Sequence, residues 1–251
     1  MTATALIVAR MGSTRLPKKS MMPILGEPMV GHLVDRVLQA KSLDQVVLAT
    51  TELIEDDPLV ELAEARGIQC YRGDSEDVLT RIHGAMVAFG ADPVVEILGD
   101  NPLVHSDLID DVMAFYYDGA FDYASNATTE FPQAGSQVPK FPIGIRVEVI
   151  RAEALERCHQ AAGDPEMREH SALHIYSNPD HFRVGLLPAD GVWSRLNQPE
   201  LTFAVNYRRN FDLIAKIFEL CLPEDQNFSL PVVLKALDKH PELRALMGAP
   251  E

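Results

Sequence analysis

Cysteine is scarce in this chain of 251 residues, with three copies, and cationic side chains number 22 against 37 anionic ones. Cys70, Cys158 and Cys221 are odd in number and far apart. That excludes a disulfide framework and a cysteine metal pattern, and it suits a reducing compartment. No apolar run approaches the roughly 18 residues of a membrane span. No charged-then-apolar leader opens the sequence. The expectation is a cytoplasmic protein with no membrane partner. A formal net charge of −15 opposes nucleic-acid binding, which needs clustered cations. The 8 histidines make no H-E-x-x-H or related metal spacing. No G-x-S-x-G elbow occurs, which argues against an α/β-hydrolase. There is no internal repeat and no low-complexity tract.

What is present is an alternation. Residues 5–8, 45–50, 68–71 and 93–98 read as buried strands. Residues 28–40, 58–66 and 75–89 read as helices between them. In the last of these, Val78, Leu79, Ile82, Met86 and Phe89 share a face, and Asp74 is placed to cap it. This βαβα order predicts an α/β fold, a mainly parallel central sheet flanked by helices. The second half is less regular. Strands are predicted at 123–125, 145–150, 182–187 and 201–205, and helices at 152–162, 169–176 and 211–221. Residues 223–251 read as a charged helical tail, leaving 1–222 as the main domain. The loop 128–142 is long enough for a lid or a dimer arm. Its Phe131, Val138 and Phe141 predict a homodimer, because they would otherwise be exposed.

The most informative segment follows the first strand: Ala9-Arg10-Met11-Gly12-Ser13-Thr14-Arg15-Leu16-Pro17-Lys18-Lys19. Open α/β sheets bind ligands at the carboxyl ends of their strands. Gly12 permits close backbone approach, and backbone N–H groups of such a loop can cradle phosphate. Arg10 and Arg15 can grip phosphate bidentately, with Lys19 as a point charge. The segment is neither G-x-G-x-x-G nor G-x-x-x-x-G-K-[ST]. The competing description is a basic surface turn. Were the ligand a nucleoside triphosphate, so acidic a chain would need a divalent cation to screen it.

Other candidates carry two readings each. Gly99-Asp100-Asn101-Pro102 closes the fourth strand. Asp100 there is either a Mg²⁺ ligand, since magnesium needs few protein oxygens, or an ordinary turn residue. In Arg72-Gly73-Asp74-Ser75-Glu76-Asp77, Asp74 and Glu76 suit a helix start, while Arg81 is either a nucleotide contact or structural. Arg168-Glu169-His170 either binds a carboxylate or opens a solvated helix.

Together these residues resemble the sugar-acid cytidylyltransferases, which include the CMP-sialate and CMP-Kdo synthetases. The spore-coat polysaccharide branch, with its pattern A-R-M-G-S-T-R-L-P-G-K, is the most similar. The likeness continues through Gly26-Glu27-Pro28-Met29, Ala49-Thr50-Thr51, the 72–79 segment, Gly99 to Leu103, Asp122-Tyr123-Ala124-Ser125-Asn126, Val147-Glu148-Val149, Arg168-Glu169-His170 and residues 203–214. It spans about residues 4–220. The resemblance implies a glycosyltransferase-A-like nucleotide-diphospho-sugar transferase fold. It implies transfer of CMP from CTP to an acidic sugar, with Mg²⁺ and pyrophosphate release. It assigns Arg10, Arg15 and Lys19 to catalysis, and Ala9, Arg10, Gly12, Ser13, Arg81 and Asp100 to the nucleotide. Asn126, Glu148, Arg168 and His170 fall to the acceptor, Asp100 and Asn206 to the metal. Three departures stand out. Lys18 replaces a glycine. Ile143 and Arg146 replace two acids of D-G-L-D-V-E-V, and the added arginine points to a more anionic acceptor such as a phosphonate. Asn206 replaces the first Asp of V-D-T-P-E-D, with Arg208 and Arg209 following. A changed nucleotide such as GTP, or a non-catalytic relative, stays open on these grounds.

Overall fold

The computed structural model describes residues 1–131 and 134–248. In chain order the strands are β1 (Thr2–Val8), β2 (Pro23–Ile24), β3 (Glu27–Pro28), β4 (Gln45–Thr51), β5 (Gln69–Gly73), β6 (Ala91–Leu98), β7 (Tyr123–Asn126), β8 (Glu148–Ile150) and β9 (Val184–Leu187). The helices are α1 (Met29–Val37), α2 (Asp57–Ala65), α3 (Val78–Phe89), α4 (Ser106–Gly119), α5 (Ala152–Ala161), α6 (Pro165–Glu169), α7 (Leu173–Tyr176), α8 (Arg208–Cys221) and α9 (Leu230–Lys239).

The apolar runs of β1, β4 and β6 have side chains buried on both faces, which is what helices on either side of a parallel sheet impose. The sheet has 7 strands in the order β5-β4-β1-β6-β8-β7-β9, and β2 with β3 forms a separate hairpin. Pairing is parallel from β5 to β6 and between β7 and β9; β8 alone in this sheet runs antiparallel to its neighbours. The predicted mainly parallel sheet is therefore present. Alternation along β1 sorts the core into two layers. Ala5 and Ile7 join α1, α2, α4, α8 and α9, whereas Leu6 joins α3, α5 and α7. Among the described residues, no helix is long and apolar enough to cross a membrane.

Several elements differ from expectation. α4 lies outside the predicted elements, although Leu108, Ile109, Val112, Met113 and Tyr116 give it a helical stripe. Helix α3 starts at Val78, capped by Asp77, whose carboxylate accepts from Thr80 N; Asp74 instead accepts from Glu76 N and Asp77 N in the preceding turn. The predicted helix 169–176 is two short ones. Asp164 caps α6 with Pro165 behind it, so the helix begins before Arg168, and His170 ends it with extended dihedrals. Residues 201–205 make a single bridge, Ile143 to Thr202, rather than a strand. Strand β8 spans only Glu148–Ile150, because Val147 N donates to the Asn126 side chain, at 2.8 Å, instead of joining a ladder.

Two inferences about loose segments need correction. Phe131 and Phe141 are buried in their own chain, against Tyr176 and Trp193 respectively, and Val138 is half-buried. The apolar argument for a dimer arm at 128–142 therefore falls; residues 132–133 of that loop lie outside the described residues. The segment 223–251, described to residue 248, is helical and enters the main core. Phe228, Leu230, Leu234, Leu237 and Met247 are buried there. Arg36 of α1, itself buried, donates to Phe228 O at 3.1 Å and to Val104 O at 3.1 Å, and stacks 4.6 Å above the Phe228 ring. Phe228→Ala should therefore destabilise the whole chain by about 3–5 kcal/mol, as for a core aromatic. Urea denaturation measures this; a loss below about 1 kcal/mol would mean that the segment docks only superficially.

Candidate active site

The loop leaving β1 is braced from below. Fully buried Asp56 accepts from Met11 N at 2.7 Å, from Thr51 N at 3.2 Å and from the Thr51 hydroxyl. Lys18 N returns to Met11 O at 3.0 Å. Lys18 has φ 60°, a left-handed conformation that glycine adopts without penalty; the family pattern has glycine there. Lys19 then turns inward. Its Nζ donates to Asp100 Oδ2 and to Val205 O, both at 2.7 Å.

The segment before α8 reaches Asp100 because Gly144 lets it. Gly144 has φ +91°, and a Cβ there would sit 2.1 Å from Ala204 N. This close crossing, with Phe203 N donating to Ile143 O at 2.7 Å, carries the chain on until Val205 N donates to Asp100 O at 2.9 Å. Asn206 follows directly.

A cleft of about 670 Å³ opens here, at the carboxyl ends of β1 and β6. Ala9, Arg10, Ser13, Arg15 and Lys19 line one part of it, with Asp100 and Asn206. Arg10 Nη1 donates to Ser75 O at 2.9 Å, and the Arg15 guanidinium lies 5.9 Å from the Tyr207 ring centre. Arg81, Glu96, Arg146, Glu148 and His170 line another part. Three of the sequence-predicted residues do not line it. Gly12 is exposed, and a Cβ there would meet the Glu55 carboxylate at 3.1 Å. Asn126 is fully buried under Val147 N. Arg168 braces α3, with Nη1 3.3 Å from Asp77 Oδ2 and from Thr80 Oγ1 and with Nε donating to Ala162 O at 2.9 Å.

Asp100 and Asn206 offer a carboxylate and an amide oxygen, both hard donors, on one wall. Among the described residues no group of three or more His, Cys, Asp or Glu gathers as a metal cage. The donor set thus fits a cation that keeps waters and takes phosphate oxygens, as Mg²⁺ does, and does not fit a closed structural metal site.

The inner part of the cleft contains a residue that the sequence reading passed over. Glu96 faces Glu148 across the β6–β8 pair. Burial first, and Glu148 second, push the Glu96 carboxyl up to about 8. The Ser171 hydroxyl donates to it. Glu148 accepts from the Tyr123 hydroxyl at 2.6 Å and lies 3.1 Å from Arg146 Nε. Burial opposes the charge on Arg146, yet Glu148 and then Glu130 hold that guanidinium above its ordinary range. A signal existed: a glutamate inside Val-Val-Glu-Ile-Leu is out of place in a strand buried on both faces.

Comparison with known proteins now gives the site a context. The chain matches the cytidylyltransferase family over residues 4–247. It belongs to that family. The spore coat polysaccharide biosynthesis protein SpsF of Bacillus subtilis is 28% identical over 242 residues, covering 94% of each chain. The 3-deoxy-manno-octulosonate cytidylyltransferase of Brucella ovis is 31% identical over 188 residues, covering 70% of this chain and 72% of that one. A solved cytidylyltransferase from Leptospira borgpetersenii superposes with a TM-score of 0.87 and 24% identity over 100% of both chains. This protein is a cytidylyltransferase, and its sheet is the nucleotidyltransferase fold.

Glu96 makes a pH prediction. A carboxyl raised from 4.5 to about 8 in the folded state binds more protons folded than unfolded across that window. Its stabilising contribution is therefore full below about 4.5 and is lost as pH rises to 8. Glu96→Gln should remove that slope. Thermal unfolding from pH 5 to 8 should show the wild-type midpoint falling several degrees more than the variant's; parallel curves would contradict a proton held at Glu96.

Proposed function

We propose that the enzyme transfers CMP from CTP to the hydroxyl of a sugar acid and releases pyrophosphate. The observation carrying this reading is the gathering of Arg10, Arg15 and Lys19 with Asp100 and Asn206 in one cleft at the carboxyl ends of β1 and β6. The acceptor oxygen bonds to the α-phosphorus, the bond from that phosphorus to the bridging oxygen of the β-phosphate breaks, and the hydroxyl proton passes to solvent. Such transfer depends on positioning and charge neutralisation more than on covalent chemistry. Arg10 and Arg15 suit the oxygens of the outer phosphates, and Ser13 and the backbone near Ala9 suit the remaining nucleotide. Lys19, held between Asp100 Oδ2 and Val205 O, presents a fixed cation at the transferring group. A bound Mg²⁺ supplies further neutralisation of phosphate charge; Asp100 and Asn206 are the residues that would hold it.

Lys19→Ala should lower turnover with CTP by on the order of 10² or more, as loss of a preorganised charge does, while CD remains near wild type and thermal unfolding falls by only the few degrees that losing its contacts to Asp100 and Val205 O costs. Pyrophosphate release is the assay, and normal turnover would remove Lys19 from the chemistry. Asn206 tests the metal wall. Asn206→Asp adds a charged ligand to a hard-ion site and should lower the magnesium concentration giving half-maximal rate several-fold. An unchanged midpoint would place residue 206 outside the metal's reach.

A further inference from the structure

We propose that Asn210 is a positioning residue for the metal wall, and that it works by anchoring that wall to the C-terminal turn. The proposal rests on the reading above, in which Asp100 and Asn206 hold Mg²⁺ beside the phosphates of CTP.

Asn206 belongs to no strand or helix, so its neighbours set its position. On one side Val205 is fixed twice. Its N–H donates to Asp100 O at 2.9 Å, and its carbonyl accepts from Lys19 Nζ at 2.7 Å. On the other side Tyr207 O starts α8 by accepting from Asn210 N at 3.1 Å and Phe211 N at 3.2 Å. The two N–H groups just before the helix go to a side chain instead. Asn210, at the third helical position, reaches back with Oδ1 to Tyr207 N at 3.0 Å and to Asn206 N at 3.4 Å. A polar side chain at that position serves a helix start well. The other end of the same amide does something the helix does not need. Its Nδ2 donates to Met247 O at 3.1 Å and to Leu246 O at 3.4 Å. One planar group, 4% exposed, thus joins the segment that carries Asn206 to the turn Pro241–Leu246 and Met247.

An aspartate could accept the first pair of bonds but could not donate the second, since a carboxylate has no hydrogen to give. The pattern V-D-T-P-E-D ends in an acid where this chain has Asn210. The turn it grips is itself seated, lying against α8 and α9 with Leu243 and Met247 buried. A second contact reinforces it. Gly248 has φ +76°, and a Cβ there would lie 2.5 Å from Arg209 Nη2. The Arg209 guanidinium stands 5.1 Å from the Tyr207 ring centre, the ring that Arg15 of the phosphate loop meets at 5.9 Å. The C-terminal turn therefore abuts both the metal wall and the ring beside a phosphate-loop cation. Held from both sides, Asn206 is ordered before a cation arrives, and preorganised groups bind at lower cost.

The test compares the whole enzyme with Asn210→Asp, Asn206→Ala and the double variant. Calorimetry measures CTP binding in EDTA and along a magnesium titration, and pyrophosphate release gives kcat and KM. Asn210→Asp keeps an acceptor for Tyr207 N, and with it the start of α8, but sets a carboxylate against Leu246 O and Met247 O. By charge alone, a carboxylate added this close to a cation site would lower the magnesium concentration that half-completes the tightening of CTP. That midpoint should instead rise at least about threefold, with CTP affinity in EDTA within about twofold of wild type and hydrogen exchange quickened across residues 241–248. The double variant should need no more magnesium than Asn206→Ala, because Asn210 acts through Asn206. A lowered or unchanged midpoint in folded Asn210→Asp would overturn the proposal, as would unchanged exchange in the turn or additive effects in the double variant. If Asn210→Asp does not fold, Asn210→Ser decides by the same midpoint. If Asn206→Ala leaves the magnesium dependence unchanged, the metal-wall reading falls and this one with it; if only the Asn210 variants leave it unchanged, this one falls alone.

Discussion

The ammonium of Lys19 ties the site together. It joins the loop after β1 to the turn after β6 through Asp100, and both to the segment before α8 through Val205 O, at 2.7 Å each. These partners lie 81 and 186 residues away in sequence. A charge-assisted contact of that length is among the stronger polar interactions a protein makes. Its surroundings are arranged to permit it. Asp56 fixes the start of the loop, and Gly144 allows two backbones to cross close enough for Val205 to arrive. The candidate phosphate-binding residues of the loop after β1 are arrayed around this junction.

The fold was legible where the local pattern and the tertiary demand agreed. Strands β1, β4 and β6 are apolar runs of the right length, and their order implied a parallel sheet. Legibility failed where a side chain took over a backbone partner. Asn126 intercepts Val147 N and shortens β8, an effect no window of residues reveals. The 201–205 run is apolar enough for a strand, yet the Gly144 crossing leaves it one bridge before it turns to Asp100. Helix α4 was a different kind of omission, since its stripe is visible in the sequence.

The site divides along the same line. The loop at 9–19 and Asp100 were readable because each lies at a strand's carboxyl end, a position that sequence order alone supplies. Of the inner wall, Arg81, Glu148 and His170 were named from the resemblance, whereas Glu96 was missed, because it lies 52 residues from Glu148 and meets it only through the β6–β8 register. Arg146 shows how a residue can mislead when its partners are unknown: counted alone it is a free cation, and in place it is half of an ion pair. Arg168 is similar, a plausible anion contact by neighbourhood that is a strut by geometry.

The C-terminal segment bears on how the protein is made. Synthesis proceeds from the N-terminus, and α1 is complete long before Phe228 leaves the ribosome. Until then Arg36 is a cation positioned for burial with one of its carbonyl partners still missing, and the layer that α9 will cover is open to water. The nascent chain therefore carries an adhesive, apolar flank through most of its elongation. Premature termination between Asn206 and α9 would yield a species that contains every candidate site residue and still lacks the means to keep itself from its neighbours.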